Sequence, residues 1–189
     1  MRDVDAARIV REAWRRVHHR DASANELLFA LAIAKLETGY GRAGQHGELA
    51  ARGLFNWGNL EVAPLEDGTC PPGHALGRDV DAFGNPKNVC FVVASSDVEA
   101  AARFVAVLTR KHWPVIAAMR TGSAGAVAHA MKLAPAYYEA PEAAYAAALQ
   151  SISTSIRRSL LGERGGAWDA TIVLAAVAAV AWFALRDAK

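Results

Sequence analysis

Apolar positions near the start of the chain fall into two helical stretches of different character. Residues 3–19 place Val10, Trp14 and Val17 on one face with Arg and Glu opposite, the spacing of a surface helix. The second stretch opens at Ser23-Ala-Asn-Glu26, which has capping-box spacing, and runs through LLFALAIAKLE. From about 42 to 95 the texture changes to glycine, proline and short alternating runs. There HALGRDVDAF and NVCFVVAS flank GNPK, which predicts a β-hairpin or paired extended segments. Ser96-Asp-Val-Glu99 is a second capping box and opens DVEAAARFVAVLTRK. Shorter helices are predicted at 114–119 and 124–133. A longer one begins near Pro141, a residue type suited to a first helical turn, and runs through EAAYAAALQSISTSIRRSL.

The last apolar run is of another kind. ATIVLAAVAAVAWFAL, residues 170–185, is uncharged between Asp169 and Arg186 and carries no polar stripe beyond Thr171. As a helix it would be roughly 24 Å long, a little short of a bilayer core of about 30 Å. Trp168 and Trp182 stand near its two ends, where interfacial aromatics are favoured. A membrane-spanning or membrane-inserted helix over 170–186 is therefore expected, joined by a glycine-broken linker at 162–169 to a domain at 1–161. MRDVDAARIV, by contrast, is charged from its second residue and lacks the apolar core of a signal peptide.

Composition narrows the chemistry. At 189 residues the chain holds one ordinary domain with a real core. A net charge of +2 is too small, and too little interleaved with aromatics, to argue for nucleic acid. Cys70 and Cys90 form no CxxC and stand near no histidine at metal spacing. They are read either as one disulfide or as two buried thiols. The six histidines make no HExxH or similar set, so no metal and no organic cofactor are expected.

One residue is out of place in this pattern. Glu37 follows Ala30, Ile33 and Ala34 at seven, four and three residues, so it lies on the apolar face of its helix. A carboxylate there is desolvated, which favours its neutral form and makes it fit for general acid catalysis. Gly39 and Gly41 stop the helix and leave room for a close approach to the backbone. Downstream, GLFNWGNLE (53–61) brackets a Trp-Gly pair with Asn56 and Asn59, amides suited to N-acetyl and hydroxyl groups beside an aromatic face. YYEAPEAAYAAAL then sets Tyr137 and Tyr138 just before a helix.

In this order, ALAIAKLETGYGR, GLFNWGNLE and YYEAPEAAYAAAL resemble the glucosaminidase-type peptidoglycan hydrolases, a group that includes autolysins, flagellar rod muramidases and phage lysins. The NWGN element also resembles goose-type lysozymes and lytic transglycosylases. The resemblance covers about residues 5–155. It implies a mostly helical α+β, lysozyme-like domain with a small β-hairpin region, acting on peptidoglycan glycan strands at the cell wall or periplasm, with the C-terminal helix in a membrane. It implies Glu37 as catalytic acid, Tyr138 near the reaction centre, and Tyr40, Phe55, Asn56, Trp57, Asn59 and Tyr137 as substrate-binding. Many members read Asn-Leu-Phe-Gly where this chain reads Gly-Leu-Phe-Asn-Trp-Gly-Asn, which leaves hydrolysis and transglycosylation both open. A non-catalytic wall-binding or virion protein is the rival from another class.

Glycoside cleavage usually wants a second carboxylate, about 5–5.5 Å away in retaining enzymes and about 6.5–9.5 Å in inverting ones. Glu61, Asp67, Asp79 and Asp81 all lie in the loop and hairpin region. Asp79 and Asp81 are preferred because alternation puts both on one face. Substrate assistance by an acetamido oxygen, oriented by Tyr138 or Asn59, is the alternative.

Overall fold

A computed structural model of the chain describes residues 1–80, 85–110, 113–133 and 141–162. Tyr137, Tyr138, Asp81, the linker from 163 and the apolar segment at 170–186 lie outside the described residues. Within them the chain is mixed α+β and mostly helical, as the pattern predicts. Its elements are α1 (Asp3–His18), α2 (Ala24–Thr38), α3 (Gly44–Ala51), β1 (Glu61–Val62), β2 (His74–Val80), β3 (Pro86–Val92), α4 (Asp97–Arg110), α5 (Trp113–Thr121), α6 (Ala124–Lys132) and α7 (Glu142–Leu160). No described helix is long and apolar enough to cross a membrane.

The order of elements follows local rules. α1 carries Asp3 and Asp5 in its first turn and Arg15, Arg16 and His18 in its last, matching the helix dipole at both ends. Val10 and Trp14 are fully buried on its inner face. α2 opens on a reciprocated capping box: Glu26 N–H donates to Ser23 Oγ at 3.3 Å, and Ser23 N–H donates to Glu26 Oε2 at 2.8 Å. The second box closes differently. Ser96 Oγ caps the Glu99 N–H at 3.2 Å, but the Glu99 carboxylate accepts from Ser95, one residue earlier.

α2 is the centre of the molecule. Every residue from Leu27 to Ala34 is buried, with α1, α5 and α7 packed around it. It is therefore a core helix rather than an amphipathic one, and its only polar interior positions stand at its ends. Gly39 terminates it in the left-handed region (φ 56°), and the Gly39 and Tyr40 N–H groups turn back to the carbonyls of Lys35 and Ala34.

The sheet has the order β1-β3-β2, all antiparallel. Its register sets Asp79 opposite Lys87 and Glu61 opposite Phe91, so alternation places Glu61, Gly77, Asp79, Lys87 and Phe91 on one face. Leu49 of α3 packs there with Val89, Phe91 and Val93 in a second, smaller core. A Cβ at Gly77 would lie 2.2 Å from the Phe91 ring, so only glycine lets that ring cross the strand. The outer face carries Cys90, bridged to Cys70 across a sequence separation of 20. Closing a loop of that length stabilises by about 3 kcal/mol. α3 itself is not expected from the pattern: Gly44 and Gly47 give it a low helix propensity, and its packing under the sheet overrides that.

Candidate active site

Glu37 sits one residue before the end of α2, where the central helix meets the sheet side of the molecule. It is half-buried, and its Oε1 accepts a hydrogen bond from the Tyr145 hydroxyl of α7 at 3.1 Å. Glu37 makes no ion pair among the described residues. Burial pushes its carboxyl up to about 7. The Tyr145 hydrogen bond opposes that shift, and the negative charge of Asp79 adds to it. An acid on the last turn of a helix also faces the negative end of the dipole. Glu37 is thus a carboxylic acid that holds its proton close to neutral pH.

Asp79 comes from the other structural unit, the β2 strand. Its Oδ2 lies 3.4 Å from Asn59 Nδ2, and Asn59 Oδ1 lies 3.1 Å from His46 Nε2 of α3. Glu61 pairs with Lys87 at 2.8 Å. Burial raises the Glu61 pKa, Lys87 counters it, and the neighbouring Asp79 carboxylate reinforces it. Two of the carboxylates proposed from sequence therefore gather on one sheet face with Lys87, and Asp79 is the one whose charge reaches Glu37. Asp67 is elsewhere, accepting from Thr69 in its own exposed turn.

Four residues expected to bind substrate are already engaged within the fold. Asn56 is buried, and its Oδ1 accepts from the N–H groups of Gly58 and Leu60 while its Nδ2 donates to the Leu60 carbonyl. Its polar atoms are consumed in building the turn. Trp57 is fully buried and donates from Nε1 to Asp97 Oδ1 at 2.9 Å; Arg42 holds the other oxygen of Asp97 at 2.8 Å. Tyr40 is buried with its hydroxyl on Asp3 at 2.9 Å. Phe55 is half-buried under the Arg42 guanidinium, 4.9 Å from the ring centroid, so its face is already covered. Of the NWGN element, Asn59 is the residue whose hydrogen bond among the described residues goes to Asp79.

The glycines after Glu37 also differ from expectation. At Gly41 (φ 70°) an added Cβ would lie 2.8 Å from the Asn56 carbonyl, so the close approach is made by the chain itself. Thr38 Oγ1 accepts from the Gly41 N–H and lies 3.0 Å from the Trp57 carbonyl. GYGR and NWGN are in this way joined into one scaffold, which fixes Asn59 relative to the end of α2.

Sequence reasoning missed Tyr145, His46 and Lys87. Tyr145 leaves a trace, being the single large side chain with a polar tip in the alanine-rich run EAAYAAAL. His46 and Lys87 leave none. An open pocket of about 570 Å³ lies at the opposite end of α2, lined by Arg20, Ser23, Asn25, Glu26 and Arg120. Its two guanidinium groups are already held by Glu26 at 2.6 and 2.8 Å, so it presents no free charge from that trio.

Taken together, these features define a mixed α+β, mostly helical domain. A carboxylic acid that holds its proton near neutral pH, at the end of its central helix, feels the charge of Asp79 on a sheet face that also carries Glu61 and Lys87. Comparison of the chain with protein-family models, with curated proteins and with solved structures gives no match.

Proposed function

We propose that the chain is a lysozyme-like glycosidase that cleaves β-1,4 bonds in the glycan strands of peptidoglycan, with Glu37 as general acid. The observation that carries this reading is the state of Glu37. Burial at the end of a core helix, without a cationic partner among the described residues, leaves it protonated to about pH 7. Such an acid can protonate the leaving glycosidic oxygen. Asp79 supports the same reading as the second carboxylate. It comes from a different element, its charge reaches Glu37, and the Asn59 amide stands beside it. Glu61, tied to Lys87, is the weaker candidate.

The mixed α+β, mostly helical architecture with a small antiparallel sheet supports this reading in outline. Mass spectrometry of purified peptidoglycan digested by the chain and by Glu37→Gln tests the proposal. Release of new reducing ends by the wild type, with loss in the variant, is expected. Anhydro-sugar products would assign lytic transglycosylation instead, and equal product from both proteins would remove Glu37 from the chemistry.

A further inference from the structure

We propose that His46 is a positioning residue of this site, acting through Asn59 to set which end of an amide Asp79 meets. The proposal rests on the glycosidase reading above and extends it to a residue that touches neither Glu37 nor Asp79 by any hydrogen bond described.

Three observations carry it. His46 is 8 % exposed, with its ring centroid 4.8 Å from that of Phe91, so it is held in place by packing rather than swinging in solvent. Its Nε2 lies 3.1 Å from Asn59 Oδ1, while its Nδ1 is buried with no hydrogen-bond partner among the described residues. Asn59, the shared link, has a left-handed backbone (φ 49°) and points its Nδ2 at Asp79 Oδ2, 3.4 Å away.

The logic is one of donors and acceptors. Asn59 can face Asp79 with an N–H donor or with a carbonyl oxygen, and only the donor attracts a carboxylate. The ring decides between them. With the proton on Nε2, His46 donates to Oδ1 and the amide must turn Nδ2 toward Asp79. With the proton on Nδ1, the Nε2 lone pair would oppose Oδ1, and the amide would turn its oxygen onto the carboxylate. The unpartnered Nδ1 fits the first arrangement, in which it is the bare acceptor. Burial lowers the His46 pKa, while Asn59 and the Asp79 charge oppose that, and a doubly protonated ring would still donate from Nε2. The orientation therefore survives either protonation state.

α3 secures Asp79 from a second side as well. The neighbouring Gln45 accepts from the Arg78 N–H at 2.8 Å and donates to the Arg78 carbonyl, filling the open edge of β2 one residue before Asp79. The short helix between the two halves of the molecule is in this sense the mount of the second carboxylate.

Two variants and one spectrum test the role. In His46→Leu the donor is lost while apolar bulk remains; kcat on peptidoglycan is expected to fall about 10- to 100-fold, with KM changed less than about twofold. In His46→Gln the side-chain amide can still donate to Asn59, and kcat is expected to recover to within about threefold of wild type. The imidazole ¹⁵N spectrum of the wild-type chain should show the Nε2–H tautomer for His46, a readout independent of activity and of how well either variant folds. An Nδ1–H tautomer, equal losses in both variants, or no loss in His46→Leu would overturn the proposal while leaving the function standing. A wild-type chain that does not cleave peptidoglycan would overturn both.

Discussion

Glu26 and Glu37 stand at opposite ends of the same helix and meet opposite fates. Glu26, at the first turn of α2, is almost completely buried but accepts from Arg20, Arg120 and the Ser23 N–H. Burial would raise its pKa; those partners win and hold it well below the usual carboxylate range. The positive end of the helix dipole works in the same direction. Glu37, eleven residues on, is half-buried, with a neutral donor in Tyr145, no ion pair among the described residues and a like charge in Asp79, so its pKa rises to about 7. Burial does not decide the state of a carboxyl; the partners supplied with it do. One end of the helix uses its acid to fasten the fold, and the other is left with an acid that the fold does not neutralise.

The sharpest way to break this contrast is to neutralise each end in turn. Glu37→Gln is expected to lower kcat by about 10²–10⁴, the usual worth of a general acid. The same change should stabilise the protein. Because the folded pKa of Glu37 is raised, its native-state stability is intact below the unfolded value of 4.5 and is lost as pH rises through about 7. Urea unfolding above pH 7 should therefore show Glu37→Gln more stable than wild type, by up to about 3 kcal/mol, with the difference vanishing below pH 4.5.

Glu26→Gln should do the reverse. Its folded pKa is depressed, so it contributes stability above 4.5 that is lost as pH falls below that value. With both arginines half-exposed, the loss at neutral pH is set at about 2 kcal/mol, and the variant should lose less further stability in acid than wild type does. An equal pH dependence in the two variants would erase the distinction between the ends.

Smaller effects sharpen it. Tyr145→Phe removes a hydrogen bond that lowers the Glu37 pKa, so the alkaline limb of activity should move to higher pH. Asp79→Asn removes the like charge, and the Glu37 titration followed by ¹³C NMR should move to lower pH, by less than the burial effect raises it.

Much of this was legible in the pattern, for reasons that are local. The capping box at Ser23, the apolar face behind Glu37 and the hairpin around GNPK are all written within a few residues of where they act. What could not be read is the pairing of distant segments. Tyr145 reaches Glu37 across 108 residues, and α3 reaches the sheet through a helix whose glycines disguise it. The NWGN element was misjudged for a related reason. Amides and aromatics that suit a sugar ring also suit a tight turn and a core, and Asn56 and Trp57, like Tyr40 of the GYGR segment, are buried there. Glu37 stood out because a carboxyl on an apolar face has fewer uses.

Asn59 carries a consequence for what sequences this fold will tolerate. Its backbone angle admits glycine, asparagine and aspartate far more readily than any other residue. Glycine would remove the amide that joins His46 to Asp79, and aspartate would set a second negative charge against Asp79. A saturation library at position 59 selected for activity should therefore return one letter.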